Sequence, residues 1–170
     1  MTTTLNLDRL ALPHGGGRRL EFPVSPGSFE LAGQTYHARP ETISARFDVS
    51  RTSSGHAFRM SFPFTLEGPC TRCLQDAAVD LEIDVREVDQ PSTDDEELNS
   101  PYVTDGELDV TRWAHDAVTL AVPAQILCRP DCAGLCTVCG ESLNDADPAD
   151  HTHGADVDPR WSKLSELKLD

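Results

Sequence analysis

The sequence predicts an α+β fold: an antiparallel β-meander or partial barrel, a helix packed on it, and a small C-terminal metal-binding module that ends in a short helix. Three observations lead to this prediction. Apolar and polar residues alternate along three mid-chain segments, apolar residues recur at helical spacing in a fourth, and six cysteines fall in two groups. We expect two units: residues 1–122 as a β-rich domain with a cysteine knuckle and the helix, and residues 123–170 as a cysteine-rich zinc module with a C-terminal amphipathic helix.

The three alternating segments are expected to be neighbouring antiparallel strands. Residues 43–49, 58–66 and 79–85 place an apolar side chain at every second position, which is the pattern of a half-buried strand. An antiparallel meander is the simplest topology for strands that follow one another in this way. Pro63 lacks a backbone N–H, so it predicts an edge strand or a bulge. Residues 15–19, Gly-Gly-Gly-Arg-Arg, are expected to form a turn or loop.

A helix is expected after the strands. Asp109 is a suitable N-cap, Pro123 ends the helical pattern, and Trp113 is expected to anchor the helix in the core. Residues 90–99 between strands and helix carry a run of acidic residues, which predicts either a mobile linker or a docking site for a basic partner.

A second, short helix is expected at the C-terminal end of the sequence. Asp158 and Pro159 would occupy the N-cap and the first helical position. Trp161, Leu164 and Leu167 would then share one face. That face either packs on the domain or docks a partner.

The cysteine spacing predicts a metal-binding protein. Two residues between cysteines let both thiolates face one tetrahedral ion, and two histidines follow the second cysteine group. Reducing conditions in the cytoplasm favour metal over disulfides as the reason for such clustering. We expect one or two zinc ions. The candidate ligands are Cys70, Cys73, Cys128, Cys132, Cys136, Cys139, His151 and His153.

The sequence leaves the ligand sets open. Cys70, Cys73, Cys136 and Cys139 would make a four-thiolate ribbon across a long loop. Alternatively, Cys132, Cys136 and Cys139 would join one of the two histidines in a local site, and Cys128 and Cys132 could complete either arrangement. The spacing of Cys132, Cys136 and Cys139 also occurs in radical-SAM iron–sulfur enzymes. A lone short motif is weak support for that chemistry, and an iron–sulfur cluster is less expected than zinc.

The chain is strongly acidic. Fourteen basic residues face 29 acidic ones, giving a formal net charge of −15. Such a chain repels phosphate backbones and favours a basic protein partner, unless its few arginines cluster. Arg51, Arg59, Arg72 and Arg86 lie on or beside the predicted meander and could gather on one face to contact RNA.

Several classes of function find no support in the sequence. There is no apolar run of the roughly 18 residues that a membrane span needs, and the start has no signal-peptide pattern. The glycines at 15–17 lack the Lys and Ser/Thr of a phosphate-binding loop. We therefore expect a cytoplasmic protein with no membrane partner and no small-molecule substrate.

Four sequence pieces occur here in one order, and together they resemble the bacterial YceD family of large ribosomal RNA subunit accumulation proteins. They are Cys-Thr-Arg-Cys-Leu at 70–74, Leu-Ala-Val-Pro at 120–123, Asp-Cys-Ala-Gly-Leu-Cys-Thr-Val-Cys-Gly-Glu-Ser-Leu-Asn at 131–144, and Asp-Pro-Arg-Trp-Ser-Lys-Leu at 158–164. The resemblance covers roughly residues 65–169. Many relatives place Cys-x-Cys where this chain has His151-Thr-His153, and imidazole can replace thiolate on zinc.

The resemblance implies a function in ribosome biogenesis. It implies a cytoplasmic, non-enzymatic protein needed for normal accumulation of large-subunit ribosomal RNA. Its expected partner is the large-subunit ribosomal RNA precursor or a basic ribosomal protein, contacted directly or through an assembly intermediate. The alternative is a metal-dependent enzyme acting on RNA or a small molecule. Catalytic zinc keeps an open coordination position, whereas the cysteine bias of this chain favours a closed structural site.

Overall fold

Antiparallel sheets dominate the computed structural model, which describes residues 3–91, 95–146, 151 and 153. Within those residues the strands are β1 (Thr4–Asn6), β2 (Gly17–Val24), β3 (Ser28–Leu31), β4 (Gln34–Arg39), β5 (Ile43–Arg51), β6 (His56–Pro69), β7 (Asp76–Asp89), β8 (Val103–Thr104) and β9 (Glu107–Asp109). One α-helix, α1 (Val110–Ala121), follows β9 directly, and 3-10 turns cover Asp8–Leu10 and Glu96–Leu98.

The larger sheet is built around β6. Strand β7 pairs with β6 along its whole length, from His56↔Asp89 to Pro69↔Asp76. On its other side β6 pairs first with β5 and then with β4, and β2 and β3 extend the sheet outward. The predicted meander of β5, β6 and β7 is thereby confirmed. Alternation explains it, because every second residue of β6 is buried in the core.

Pro63 lies in a central strand, so of the two predicted alternatives, an edge strand or a bulge, the edge strand is wrong. The ladder to β7 runs through Pro63↔Glu82 without interruption. On the other side, pairing with β5 ends at Ser61 and pairing with β4 begins at Thr65. Pro63 falls in the interval between those two partners, where no ladder hydrogen bond is required of it.

The glycine-rich segment 15–19 is only partly the loop that the sequence predicts. Gly15 has a φ of 74°, a conformation that favours glycine, and it closes a short turn. Strand β2 then begins at Gly17, so Arg18 and Arg19 are strand residues opposite Val49 and Asp48. Their polarity concealed the strand, because both are exposed.

Helix α1 is held against the sheets by its apolar face. Asp109 caps it as predicted, its side chain accepting a hydrogen bond of 2.9 Å from the backbone N–H of Arg112. Trp113 is 3% exposed and meets the rings of Phe47 and Phe58 edge-on. A small sheet, in the order β1-β9-β8, leads into the helix.

The α+β class needs correction. The described residues are mainly β, with a single α-helix of 12 residues, because the segments before residue 43 that carry no clear alternation also form strands. The predicted C-terminal helix lies outside the described residues, as do residues 92–94 of the predicted acidic linker. The boundary proposed between residues 122 and 123 stays a prediction.

Candidate metal centres

The first candidate centre is formed by four cysteines, Cys70, Cys73, Cys128 and Cys132, which we call the buried cluster. Their Sγ atoms all lie within 4.8 Å of one another. Cys70, Cys73 and Cys132 are buried and Cys128 is half-buried. Two cysteines come from the connection between β6 and β7, and the other two from the segment after α1.

The β6–β7 connection is shaped to present its two sulfurs together. The N–H of Cys70 donates to the carbonyl of Gln75 at 2.6 Å, and the N–H of Leu74 donates to the carbonyl of Cys70 at 3.0 Å. Leu74 adopts the left-handed conformation, with a φ of 61°, which reverses the chain into β7. The two cysteines thus lie at the tip of the β6–β7 hairpin.

The sulfur separations fit a tetrahedral thiolate site. The Sγ atoms of Cys70 and Cys132 are 3.7 Å apart, and those of Cys73 and Cys128 are 3.5 Å apart. A tetrahedral zinc ion with Zn–S bonds of about 2.3 Å separates its sulfurs by about 3.8 Å. All four cysteines are free thiols, so this cluster contains no disulfide.

Hydrogen bonds tie the two chain segments of the buried cluster together. The N–H of Thr71 donates to the carbonyl of Ile126 at 2.8 Å, and a guanidinium N–H of Arg72 donates to the carbonyl of Cys132 at 3.0 Å. Gly134 has a φ of 82°, and a Cβ there would lie 3.3 Å from the carbonyl oxygen of Arg72. The close approach of the two segments therefore depends on a glycine at this position.

The electrostatics of the buried cluster favour one thiolate and oppose several. Burial opposes ionisation of Cys70, but N–H donors from Arg72, Cys128 and Cys73 outweigh it and lower the pKa of this thiol to about 6. Burial and the neighbouring sulfurs raise the pKa of Cys128 to about 12. Four thiolates so close together would require a cation to compensate their charge, and a divalent metal ion could supply it.

The second candidate centre, which we call the exposed cluster, contains Cys136, Cys139, His151 and His153. Its ligand atoms also lie within 4.8 Å of one another. The Nε2 atom of His151 is 3.6 Å from the Sγ atom of Cys139 and 3.2 Å from Nε2 of His153. Tetrahedral zinc with ordinary bond lengths separates sulfur from nitrogen by about 3.6 Å and two nitrogens by about 3.3 Å.

A tight local turn supports the exposed cluster. The N–H of Cys136 donates to the carbonyl of Glu141, and Gly140, with a φ of 75°, donates back to the carbonyl of Cys136. The N–H of Val138 points at the Sγ atom of Cys136 at 3.4 Å. Such N–H donors, from Cys139 first, together with His151, lower the pKa of Cys136 to about 6.

A carboxylate orients one of the two histidines. An oxygen of Glu141 lies 3.5 Å from Nδ1 of His151, which leaves Nε2 directed at Cys139 and His153. A carboxylate behind a histidine is the usual outer partner of a metal-ligating imidazole, because it fixes the tautomer and the ring orientation. No specific sequence signal points to this role, since Glu141 is one of many acidic residues.

The structure divides the eight predicted ligands differently from either arrangement suggested by the sequence. The hairpin pair Cys70 and Cys73 meets Cys128 and Cys132, and not the second Cys-x-x-Cys pair. Cys136 and Cys139 meet both histidines. Each cluster thus offers four ligands, and each could hold a metal ion. Whether these residues ligate a metal, and which metal, stays a prediction.

Comparison with known proteins adds a family to this geometry. A family model described as "Large ribosomal RNA subunit accumulation protein YceD" matches residues 58–168, which is more than half of the chain. The chain belongs to the YceD family. The match contains all eight residues of the two clusters. No solved structure matches this YceD-family chain significantly.

Similar proteins occur in bacteria and plants. Uncharacterized proteins of Mycobacterium tuberculosis H37Rv and Mycobacterium bovis are each 37% identical to it over 105 residues, covering 59% of this chain and 49% of theirs. A Zea mays protein named as a chloroplastic YCED homolog is 36% identical over 56 residues, covering 33% of this chain and 19% of its own. The chain spans about half the length of the mycobacterial relatives it matches.

The arginines predicted to contact RNA lie in different places of this YceD-family fold. Arg59 and Arg86 are cross-strand partners on an exposed face of the larger sheet. Arg72 contacts the buried cluster, as described above. Arg51 is the last residue of β5 and lies on the same side of the strand as its buried residues. Its guanidinium lies 3.3 Å from Nε2 of His56. Only two of the four candidates are thus brought together on one face.

The remaining expectations concern the C-terminal end and membranes. Trp161, Leu164 and Leu167, the predicted docking face, lie outside the described residues. Within the described part of the chain, no helix has the length and apolar character that crossing a membrane requires.

Proposed function

We propose that this chain is a non-enzymatic zinc-binding factor in ribosome biogenesis that supports accumulation of large-subunit ribosomal RNA. It would do so by binding a ribosomal protein or an assembly intermediate. Membership of the YceD family is the observation that carries the proposal, because the description of the family model names large-subunit ribosomal RNA accumulation. The name of the maize relative supports the same process.

Zinc is the metal that the ligand chemistry favours. Four thiolates, or two thiolates and two imidazoles, are the donor sets of structural zinc sites, and both are present here within tetrahedral spacing. Calcium and magnesium prefer oxygen ligands, so neither cluster suits them. The proposal includes a cytoplasmic location, where thiols stay reduced and available to a metal.

A structural role for the metal follows from the number of ligands. Catalytic zinc usually keeps three protein ligands and one open position for water. Each cluster here offers four protein ligands, which would fill a tetrahedral ion and leave no place for a substrate. This argument supports a binding protein over a metal-dependent enzyme.

The charge of the chain supports a basic protein as one partner. With a formal net charge of −15, the chain attracts ribosomal proteins that carry the opposite sign. Binding of this kind weakens as salt rises, since it depends on long-range attraction between charges.

The test combines depletion of the protein with capture of its partners. Cells lacking the protein are expected to show a reduced ratio of large-subunit to small-subunit ribosomal RNA, restored by the wild-type gene. The tagged full chain is expected to retain ribosomal proteins or large-subunit precursor particles at physiological salt. An unchanged ratio, together with no ribosomal component in the captured material, would contradict the proposal.

A further inference from the structure

Four arginines lie on one exposed face of the larger sheet, although the chain as a whole is acidic. Arg19 on β2 is opposite Asp48 on β5, Asp48 is opposite Arg59 on β6, and Arg59 is opposite Arg86 on β7. Arg46 precedes Asp48 by two residues on β5 and so shares its face. We call Arg19, Arg46, Arg59 and Arg86 the arginine face.

Two of these guanidinium groups are held in place by carboxylates. Nε of Arg59 donates to Asp84 at 2.7 Å and its Nη2 donates to the other oxygen at 2.6 Å. Nε of Arg19 donates to Asp48 at 2.6 Å. These hydrogen bonds lower the pKa values of both carboxyl groups, so the pairs persist at neutral pH. Because a guanidinium carries five N–H groups, each pair leaves at least three for another ligand.

The other two arginines have no such pairing. Neither Arg46 nor Arg86 lies within 4.0 Å of a carboxylate of another described residue, and both are exposed. The face and its immediate row neighbours carry four arginines and three carboxylates, Glu21, Asp48 and Asp84. In the whole chain, acidic residues outnumber basic ones about two to one. The surface is therefore locally cationic.

A row of residues with small side chains lies beside the arginines and forms the floor of a groove. Gly17, Ser50 and Ala57 are aligned across β2, β5 and β6, next to the row of Arg19 and Arg59. The groove has a volume of about 460 Å³, and Arg18, Arg19, Arg59 and Arg86 line it together with Asp48, the carboxylate that pairs with Arg19. Small side chains at the floor let a bulky anion approach the guanidinium groups along its wall.

The same sheet becomes acidic toward the buried cluster. Asp80 and Glu82 on β7 lie opposite Thr65 and Pro63 of β6, and Glu67 follows on β6. All three carboxylates are exposed, and Glu67 is paired with Arg39 of β4. A polyanion on the sheet would be attracted to the arginine end and repelled from the end next to the cysteines.

We propose that the arginine face binds the phosphate backbone of RNA. Guanidinium groups match phosphate geometry with two parallel hydrogen bonds, and four of them repeated across a sheet suit a chain of phosphates better than a single small anion. The face carries no exposed aromatic ring for base stacking, so the contact is expected to be independent of sequence. The choice of ribosomal RNA as the natural ligand rests on the proposed function; the phosphate-binding surface itself does not.

The test measures RNA affinity of the full chain by fluorescence anisotropy, with labelled oligouridine and a labelled large-subunit rRNA fragment as probes. We expect the double variant Arg46→Ala/Arg86→Ala to bind both probes about tenfold more weakly. The slope of log affinity against log salt for oligouridine is expected to fall by about 1.4, since each phosphate contact on a single strand contributes about 0.7. Both residues are exposed and have no ion pair among the described residues, so thermal unfolding is expected to stay within a few degrees of wild type.

The control for charge is Arg9→Ala/Arg39→Ala, which removes the same charge from exposed residues outside the arginine face; unlike the test residues, Arg39 is paired with Glu41 and Glu67. We expect it to change affinity less than twofold. Equal weakening by both double variants, or no weakening by the first, would overturn the arginine face as an RNA site. If the first variant binds RNA normally but captured precursor particles are still present, the surface is wrong and the proposed function stands. If RNA binding is lost as expected while depletion leaves the rRNA ratio unchanged, the surface stands and the proposed function is wrong.

Discussion

The buried cluster and the exposed cluster offer the same number of ligands but differ in their relation to the fold. The buried cluster joins a hairpin tip to a segment beyond α1, with Cys70 and Cys132 separated by 62 residues. In the exposed cluster, Cys139 and His151 are 12 residues apart. Three of four sulfurs are buried in the first, whereas Cys139 and His153 are exposed in the second.

If each cluster holds a metal ion, this difference predicts a separate task for each ion. A metal in the buried cluster would cross-link distant parts of the chain and remove freedom from the unfolded state, in the same way as a long-loop disulfide. A metal in the exposed cluster would order only a short segment. Solvent and competing ligands reach the exposed cluster directly, so its metal is expected to exchange faster. The comparison predicts a fold-determining site and a local, replaceable one.

The largest expected effect is on thermal stability. Cys132→Ser in the zinc-loaded protein is expected to lower the melting temperature by more than about 10 °C, because structural zinc contributes on the order of 10 kcal/mol and each kcal/mol is worth about 2–4 °C in a domain of this size. Cys139→Ser is expected to lower it by only a few degrees. Differential scanning calorimetry with and without a chelator measures both. Equal shifts for the two variants, or a Cys132→Ser effect that persists in full after chelation, would remove the distinction.

An intermediate effect is expected from the carboxylate behind His151. Glu141→Gln keeps the size of the side chain but removes the charge that orients the imidazole, so the exposed cluster is expected to bind zinc about 10–100-fold more weakly. The buried cluster is expected to keep its affinity. A chromogenic chelator follows zinc release over time. We expect a faster first phase, from the exposed cluster, and an unchanged second phase, from the buried cluster. Asp145→Asn, a nearby carboxylate with no contact to His151, is the control. Acceleration of both phases would indicate that the clusters are not independent.

The smallest expected effect is on the pH dependence of stability. It comes from His56, a titrating residue outside both clusters. Burial, and then the charge of Arg51, lower the pKa of His56, which is 7% exposed and lies far along β6 from Cys70. The folded protein therefore binds fewer protons at this site than the unfolded chain. Its stability falls as the pH drops through the ordinary histidine pKa of about 6.5 toward the lower folded value.

Replacing His56 isolates this contribution. His56→Gln retains a hydrogen-bonding partner for Arg51 but does not titrate, so the decrease in unfolding free energy between neutral and mildly acidic pH is expected to be smaller than in wild type. Denaturant unfolding of both zinc-loaded proteins at the two pH values measures the two decreases in unfolding free energy. The acid sensitivity of the metal ligands is the same in both proteins and cancels when the decreases are compared. An identical decrease in the two proteins would assign the whole pH effect to the clusters.

Alternation and capping made part of the fold predictable. Strands β5, β6 and β7 were identified from their period-two pattern, and Asp109 from its place before an apolar helical run. Strands β2, β3 and β4 were missed because exposed arginines, glycines and prolines interrupt the pattern there. Pro63 led to a wrong prediction of an edge strand. A proline fits in this central strand because it lies between the segments of β6 that pair with β5 and with β4, and only the sheet order reveals that gap.

The candidate ligands were predictable as residues but not as groups. Spacing identifies pairs that can share an ion, and Cys70 with Cys73 and Cys136 with Cys139 are such pairs. Which pair meets which depends on the path of the chain after α1, where the N–H of Thr71 and the carbonyl of Ile126 join. The arginine face was half predicted, because Arg59 and Arg86 were named but Arg19 was assigned to a loop.

The long separation within the buried cluster also has a consequence for the order in which the protein is completed during synthesis. The β6–β7 hairpin can form once residue 89 has left the ribosome, and it then displays two sulfurs without the other two cysteines of the cluster. The remaining two arrive only with residues 128 and 132, after helix α1 has been made. Until then the hairpin is a half-site that can capture a metal or be oxidised, but cannot close around an ion with this chain's own ligands. The four-cysteine cluster can therefore form only after the helix has been synthesised. A nascent chain halted before Cys128 would have a β6–β7 hairpin that lacks its two partner cysteines.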